Sequence, residues 1–158
     1  REETTERKLK HTRANFIRVG NELRRRYGAG ILAQRIVSKI QKPTKVGNYR
    51  KNVNVVVVSI RNPKEVENLR KIPDFFLLAI DAPVKIRYSR ILKRKRIDDK
   101  GTLKDFIKNE NLENSNNSSS QQLKKCIGLA DKIIINDGAL DHLHQKINNL
   151  IKASINQQ

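Results

Sequence analysis

The stretch that decides the fold is FFLLAIDAPVKIRYSRILKRKRIDD, residues 75–99. Residues 75–80 are apolar without polar alternation, which is typical of a strand covered on both faces in a parallel α/β sheet. Pro83 can begin a helix, because the first helical turn has no use for its missing N–H group. Apolar side chains then recur at helical spacing, at Val84, Tyr88, Ile91 and Leu92. The segment therefore predicts a strand that leads directly into a basic helix.

Composition sets the class of protein and its partners. The 158 residues contain 34 Lys and Arg against 16 Asp and Glu, a net charge of +18 that attracts polyanions such as nucleic acid, anionic membranes or nucleotides. The single cysteine, Cys126, excludes an internal disulfide and fits a reducing compartment. No apolar run approaches the ~18 residues that span a membrane, and no signal-peptide core opens the chain. We expect a soluble, intracellular, cytoplasmic protein that forms one domain over residues 1–158.

The remaining elements follow from periodicity and from capping residues. Strands are predicted at 53–60, 75–81 and 132–136, and helices at 1–26, 31–40, after Asn62, after Pro83, after Thr102, at 123–130 and at 139–153. The apolar-free run NSNNSSSQQ (114–122) predicts a flexible insertion over 112–122. The order of these elements predicts an α/β fold, with a parallel sheet flanked by helices on both faces.

Ligands of such sheets bind outside the carboxyl ends of the strands. The residues expected there are 59–61, 81–83 and 136–138, and they converge on one rim with the cations of the basic helix. Arg61 lies between a predicted strand and a helix N-terminus, so it can bind phosphate. A salt bridge from Arg61 to Glu65 or Glu67 is the equal alternative.

The end of the basic helix carries Arg90, Arg94 and Arg96. Cations gathered around a transferring phosphate are the main catalytic apparatus of phosphoryl transfer, although a charge run is also a common solvated face. The aspartates that follow at 98 and 99 are a weak magnesium signal. The three histidines do not form a metal constellation, and no metal site is predicted.

Three segments together carry a family resemblance. IRNPKEVENLR (60–70), FFLLAIDAPVKIRYSRILKRKRIDDKGTLKDFIKNENLE (75–113) and CIGLADKIIINDGALDHLHQKI (126–147) resemble the P-loop nucleoside monophosphate kinase group. The resemblance is closest to its dephospho-CoA-kinase-like and archaeal nucleotide kinase branch, and it covers roughly residues 15–150. The same segments also resemble the kinase-like region of fungal deoxycytidylate deaminases.

The resemblance implies roles for particular residues. Arg94 and Arg96 would be catalytic residues of a mobile lid over the phosphates, and Arg61 would face the acceptor nucleotide. Asn136, Asp137 and Gly138 would form the loop beside the donor adenine. The implied cofactors are ATP and Mg²⁺, and the implied partners are nucleotides.

The chain also departs from the family pattern. No GxxxxGK followed by Ser or Thr occurs in it, Val58 and Ser59 stand where the family has Asp-Gly, and Asn109 and Glu110 replace the Arg-Asp pair of the lid helix. The chain has no methionine and begins at Arg1. We therefore expect an N-terminally incomplete domain that lacks the central first strand and the phosphate loop, with weak or absent catalysis.

Three functions stay open at this point. The first is a nucleotide-binding domain related to ATP-dependent phosphoryl transfer to a nucleoside monophosphate or a similar acceptor. The second is a non-catalytic regulatory or interaction domain of a larger protein such as deoxycytidylate deaminase, working with a homo-oligomer or a downstream catalytic domain. The third, nucleic-acid binding, is suggested by charge, but 4% aromatic residues offer little stacking surface.

Overall fold

The computed structural model describes residues 2–41, 54–94, 101–112, 114 and 116–155. These residues form a mostly helical α/β structure with a small two-stranded parallel sheet. Its elements are α1 (Glu2–Glu6), α2 (Arg13–Tyr27), α3 (Ile31–Gln41), α4 (Pro63–Leu69), β1 (Leu78–Asp81), α5 (Val84–Arg94), α6 (Leu103–Leu112), α7 (Leu123–Gly128), β2 (Lys132–Ile135) and α8 (Leu140–Ile155).

The chain divides into two compact units. The first unit comprises Arg1–Phe76 and Glu113–Leu129, and it contains α1 to α4 and α7. The second unit comprises Leu77–Leu112 and Ala130–Gln158, and it contains both strands with α5, α6 and α8. Each unit is therefore assembled from two separate stretches of sequence.

The first unit is a small helical assembly in which α2 packs on α3, α3 on α4, and α4 on α7. Its core is apolar, with buried side chains from four helices: Val19, Leu23, Ala33, Val66, Leu69 and Cys126. Burial of such side chains removes apolar area from water and is the main stabilising contribution. The sequence pattern of 31–40 predicted α3 correctly.

An ion pair is buried in this helical core. The Nη2 and Nε atoms of Arg24 donate to Glu65 Oε1 at 2.7 and 2.9 Å. The second oxygen of Glu65 accepts the backbone N–H of Arg61 at 2.9 Å. Glu65 therefore fixes both the end of α2 and the approach to α4.

The start of α4 follows its predicted capping chemistry. The side chain of Asn62 accepts the backbone N–H of Lys64 at 2.9 Å, and Pro63 occupies the first helical position. The Asn62 amide also donates to the carbonyls of Ser118 and Ser120. These bonds tie the Asn/Ser/Gln run to α4; its flexibility stays a prediction.

The second unit is built on the parallel pair. Leu78 aligns with Lys132 and Asp81 with Ile135, α8 packs against β2, and α5 packs against α6. The prediction of parallel pairing between 75–81 and 132–136 is confirmed, with strands of four residues each. Helix α5 begins after Pro83 and α6 begins after Thr102, as predicted.

The predicted strand at 53–60 is wrong over its described part. Residues 54–60 have no regular secondary structure, and Ser59 has a φ of 67°. Val56 is 84% exposed. A strand requires a hydrogen-bonded neighbour, and among the described residues β1 pairs only with β2. A high β-propensity therefore did not produce a strand here, because propensity reflects packing more than backbone preference.

The predicted N-terminal helix is interrupted. Residues 7–12 separate α1 from α2, with Lys8 at a φ of 52°. Thr12 then caps α2 by accepting the backbone N–H of Asn15.

Within the described residues, no helix combines the length and the apolar character needed to cross a membrane.

Candidate functional site

The carboxyl ends of β1 and β2 meet at one edge of the second unit. Asp81 closes β1 opposite Ile135, and the backbone N–H of Asn136 donates to the carbonyl of Asp81 at 2.7 Å. Ala82 and Pro83 follow β1, and the polar loop at 136–138 follows β2. This is the edge at which parallel α/β sheets bind ligands.

Arg87 organises the β1 side of this edge. Its Nη1 atom donates to Asp81 Oδ1 at 2.9 Å and to the carbonyl oxygen of Ala82. Its Nε and Nη2 atoms donate to the two oxygens of Glu110 at 2.8 and 2.7 Å, a bidentate pair. The hydrogen bond to Glu110 is the main cause that raises the pKa of Arg87, opposed by burial and assisted by the charges of Glu110 and Asp81. Arg87 therefore joins α5, α6 and the end of β1.

Arg90 organises the β2 side. One helical turn beyond Arg87, it donates from Nη1 to the carbonyl of Asn136 at 3.0 Å and from Nη2 to the side-chain oxygen of Asn136 at 3.2 Å. A third bond runs from Nη2 to the carbonyl of Gly138 at 2.9 Å. The loop predicted to lie beside adenine is therefore held by three bonds from one guanidinium group.

Helix α8 supports the same loop. The Nζ of Lys146 donates to the carbonyl of Ile135 at 2.8 Å and lies 3.4 Å from Asp137 Oδ1. A hydrogen bond from its own backbone N–H lowers the pKa of Asp137, and Lys146 lowers it further. A Cβ at Gly138 would lie 3.3 Å from His142 Nδ1, so a side chain here would crowd the first turn of α8.

The predicted lid residues lie farther along the basic helix. Arg94 occupies the exposed last turn of α5, about 15 Å of helical rise from Val84. Arg94 follows Arg90 by four residues, which places the two on one face of the helix. Arg96 lies outside the described residues. The catalytic role of both arginines stays a prediction.

Arg61 belongs to the first unit and lies just before α4. Its Nη1 atom donates to Gln121 Oε1 at 2.9 Å, and its carbonyl accepts the backbone N–H of Gln122 at 2.8 Å. Glu65, one of its expected salt-bridge partners, accepts the backbone N–H of Arg61 at 2.9 Å. Glu67 pairs with Lys64. The acceptor-nucleotide role of Arg61 stays a prediction.

The residues at the strand ends do not fit a magnesium site. Mg²⁺ prefers carboxylates combined with waters and phosphates. The carboxylates of this edge are ion-paired, Asp81 and Glu110 with Arg87 and Asp137 with Lys146. Across the described ranges, no group of three His, Cys, Asp or Glu side chains could hold a metal ion.

Two residues of this site, Arg87 and Glu110, were not recognised as site residues from the sequence. Helical spacing was an available signal for the first, because Arg87, Arg90 and Arg94 recur at intervals of three and four. The partner Glu110 lies 23 residues away on another helix, and no local pattern indicates that pairing.

Comparison with known proteins identifies archaeal relatives. A UPF0200 protein of Pyrococcus abyssi is 32% identical over 155 residues, which cover 96% of this chain and 78% of the relative. A UPF0200/UPF0201 protein of Archaeoglobus fulgidus is 32% identical over 153 residues, and a UPF0200 protein of Sulfurisphaera tokodaii is 33% identical over 132 residues. The chain spans 44% and 66% of the length of these last two proteins. No family model and no solved structure matches the chain.

Proposed function

The chain belongs to the UPF0200 family, and we propose that its second unit binds a nucleotide at the carboxyl ends of β1 and β2. The domain would be kinase-like, related to ATP-dependent phosphoryl transfer to a nucleoside monophosphate or a similar acceptor. We also propose that the domain has the P-loop kinase-like fold, with helices on both faces of the sheet.

The observation that carries the proposal is the bonding of Arg90 to the loop at 136–138. Three hydrogen bonds fix a short polar loop at the edge where parallel sheets bind ligands. A fixed loop can present backbone groups to the edge of a base without a further ordering cost. Asn136, Asp137 and Gly138 are therefore proposed to lie beside the base.

The phosphates are proposed to lie along α5. Arg94 lies about 6 Å of helical rise beyond Arg90, on the same face. A nucleotide with its base at the loop can extend its phosphates in that direction, toward Arg94, and Arg96 is proposed as the second phosphate-contacting arginine. Arg61, in the first unit, is proposed separately as the residue that contacts the acceptor nucleotide.

We expect binding without turnover. The chain contains no GxxxxGK followed by Ser or Thr, so no such array of backbone N–H groups holds the β- and γ-phosphates. At the strand ends, the carboxylates of Asp81 and Glu110 are ion-paired with Arg87, which disfavours binding of Mg²⁺ there. Exposed cations alone give weak binding that is screened over about 8–10 Å at physiological ionic strength.

The ion pairs of Asp81 and Glu110 with Arg87 also favour the second candidate function, a non-catalytic regulatory domain of a larger protein. In such a domain the nucleotide would act as an effector. The alternative shares the binding site and the absence of turnover, and differs in that the bound nucleotide would regulate another part of a larger protein.

Calorimetric titration with ATP tests the proposal. Binding is expected at about 25 mM NaCl and should weaken strongly by about 300 mM. Arg94→Ala should weaken it about fivefold, since one charge contact in water contributes about 1 kcal/mol. Arg61→Ala should weaken binding of a nucleoside monophosphate by a similar factor. Lys152→Ala, in the last turn of α8, is the matched control and should have no effect.

Two results would contradict the proposal. Binding that is absent at low salt, or equally affected by Arg94→Ala and Lys152→Ala, would remove the nucleotide site. Phosphate transfer above background in a coupled assay would keep the site but refute the loss of catalysis.

A further inference from the structure

The first unit carries a basic aromatic surface that the proposed nucleotide site does not use. We call it the Tyr27 patch, formed by Arg26, Tyr27, Arg35 and Lys39. The guanidinium carbon of Arg26 lies 5.2 Å from the centroid of the Tyr27 ring, and that of Arg35 lies 5.9 Å from it. The Tyr27 side chain is 48% exposed. Two cations from two helices therefore meet at one exposed ring.

The surrounding sequence is cationic in one continuous stretch. From Leu23 to Lys64 the chain contains eleven Lys and Arg and no Asp or Glu. Cations in the last turn of α2 would also complement the helix dipole. That explanation does not apply to Arg35, which lies in the middle of α3, directed at the Tyr27 ring.

We propose that the Tyr27 patch binds single-stranded nucleic acid, with Tyr27 and the arginine planes stacking on bases and the cations contacting phosphates. Flexible strands expose unstacked bases, and proteins bind them by combining aromatic or guanidinium faces with positive charge. Lys39 follows Arg35 by one helical turn, which extends the positive surface along α3. An acidic peptide would use the charge but not the ring, so the exposed ring favours nucleic acid.

The proposal for the Tyr27 patch and the proposal for the nucleotide site can be tested independently of each other. The patch lies in the first unit, whereas Arg90, Arg94 and the loop at 136–138 lie in the second. Arg94→Ala, which should weaken ATP binding, should leave oligonucleotide binding within about twofold of the wild type, because Arg94 is not part of the Tyr27 patch and a single exposed charge is screened by salt.

Fluorescence anisotropy with the full 158-residue chain tests the proposal. The probes are labelled oligouridylate and oligothymidylate of about twelve nucleotides, within the site sizes of single-strand binders. Both should bind, with a slope of log affinity against log salt of about −2 for three phosphate contacts. Tyr27→Ala should weaken binding about 5- to 150-fold with little change in slope, and Tyr27→Phe should bind like the wild type.

Charge and stacking are separated by further variants. Arg35→Gln should reduce the salt slope by about 0.7, whereas Lys152→Gln should leave it unchanged. Tyr27→Leu keeps more apolar bulk than Tyr27→Ala but has no aromatic face, so it should lose as much affinity as Tyr27→Ala.

Four results would overturn the proposal. They are wild-type affinity in Tyr27→Leu, equal slope changes in Arg35→Gln and Lys152→Gln, tighter binding to duplex RNA than to the single strand, and equal competition by a polyglutamate peptide of the same charge.

Discussion

Each unit of the molecule contains an arginine–glutamate pair, and the two pairs have opposite surroundings. Arg24 and Glu65 are 2.7 Å apart, with side chains 3% and 4% exposed. Arg87 and Glu110 are also 2.7 Å apart, but their side chains are 33% and 30% exposed. A buried pair leaves an unsolvated charge when one partner is lost, whereas a half-exposed partner returns to water. Loss of one partner is therefore expected to cost more stability in the first unit than at the edge of the second unit.

The largest expected effect is the loss of the buried pair. Glu65→Gln leaves Arg24 charged, buried and without its carboxylate, so the free energy of unfolding should fall by about 3–5 kcal/mol. Urea denaturation followed by circular dichroism measures it. Glu67→Gln on the same helix removes the exposed pair with Lys64 and should change stability by less than about 0.5 kcal/mol. Equal urea midpoints for the two variants would contradict the distinction.

Cys126 reports the same buried environment. Burial, assisted by the charge of Glu65, raises the pKa of its thiol from 9.0 to about 11, so alkylation near pH 8 should be about 100-fold slower in the folded chain than in urea. The folded state keeps this proton at higher pH than the unfolded state, so the associated stability is lost as pH rises from about 9 to about 11. Rapid iodoacetamide labelling of the folded chain, detected by mass spectrometry, would contradict the buried assignment.

The cap of α4 tests a smaller contribution in the first unit. Asn62→Ala removes the helix cap and two amide bonds to the Ser118 and Ser120 carbonyls, and it should cost about 1–2 kcal/mol in thermal or urea unfolding. Asn62→Asp keeps the capping oxygen but cannot donate to the carbonyls. Full recovery of stability in Asn62→Asp would show that the amide bonds contribute nothing.

The smallest expected effect is in the second unit. Glu110→Gln should cost at most about 1 kcal/mol, because water and Asp81 still stabilise the half-exposed Arg87. The difference from the wild type should shrink in about 0.5 M NaCl, where surface charges are screened. Lys108→Gln is the control on the same helix. A cost comparable to that of Glu65→Gln would remove the contrast between the two pairs.

Local patterns predicted much of the fold. The capping residues at 62 and 102 and the apolar run at 132–136 located α4, α6 and β2, because each depends on neighbours in sequence. The wrong strand at 53–60 depended on a partner that composition cannot reveal. Arg61 donates to Gln121, in the run predicted as a flexible insertion, and 60 residues separate the two. The hydrophobic periodicity of a sequence does not predict hydrogen bonds between residues so far apart in the chain.

The division of the chain into interleaved stretches has a consequence for its synthesis on the ribosome. The first unit includes residues up to Leu129, so the partners of Asn62 at Ser118 and Ser120 emerge only after α5 and α6 have been made. Likewise β1 cannot form its hydrogen bonds until β2 has been synthesised, some fifty residues later. Domains usually fold in order as they emerge, N-terminal first. Here neither unit can be completed before the other has begun, so a ribosome that stalls within α6 would hold two unfinished units.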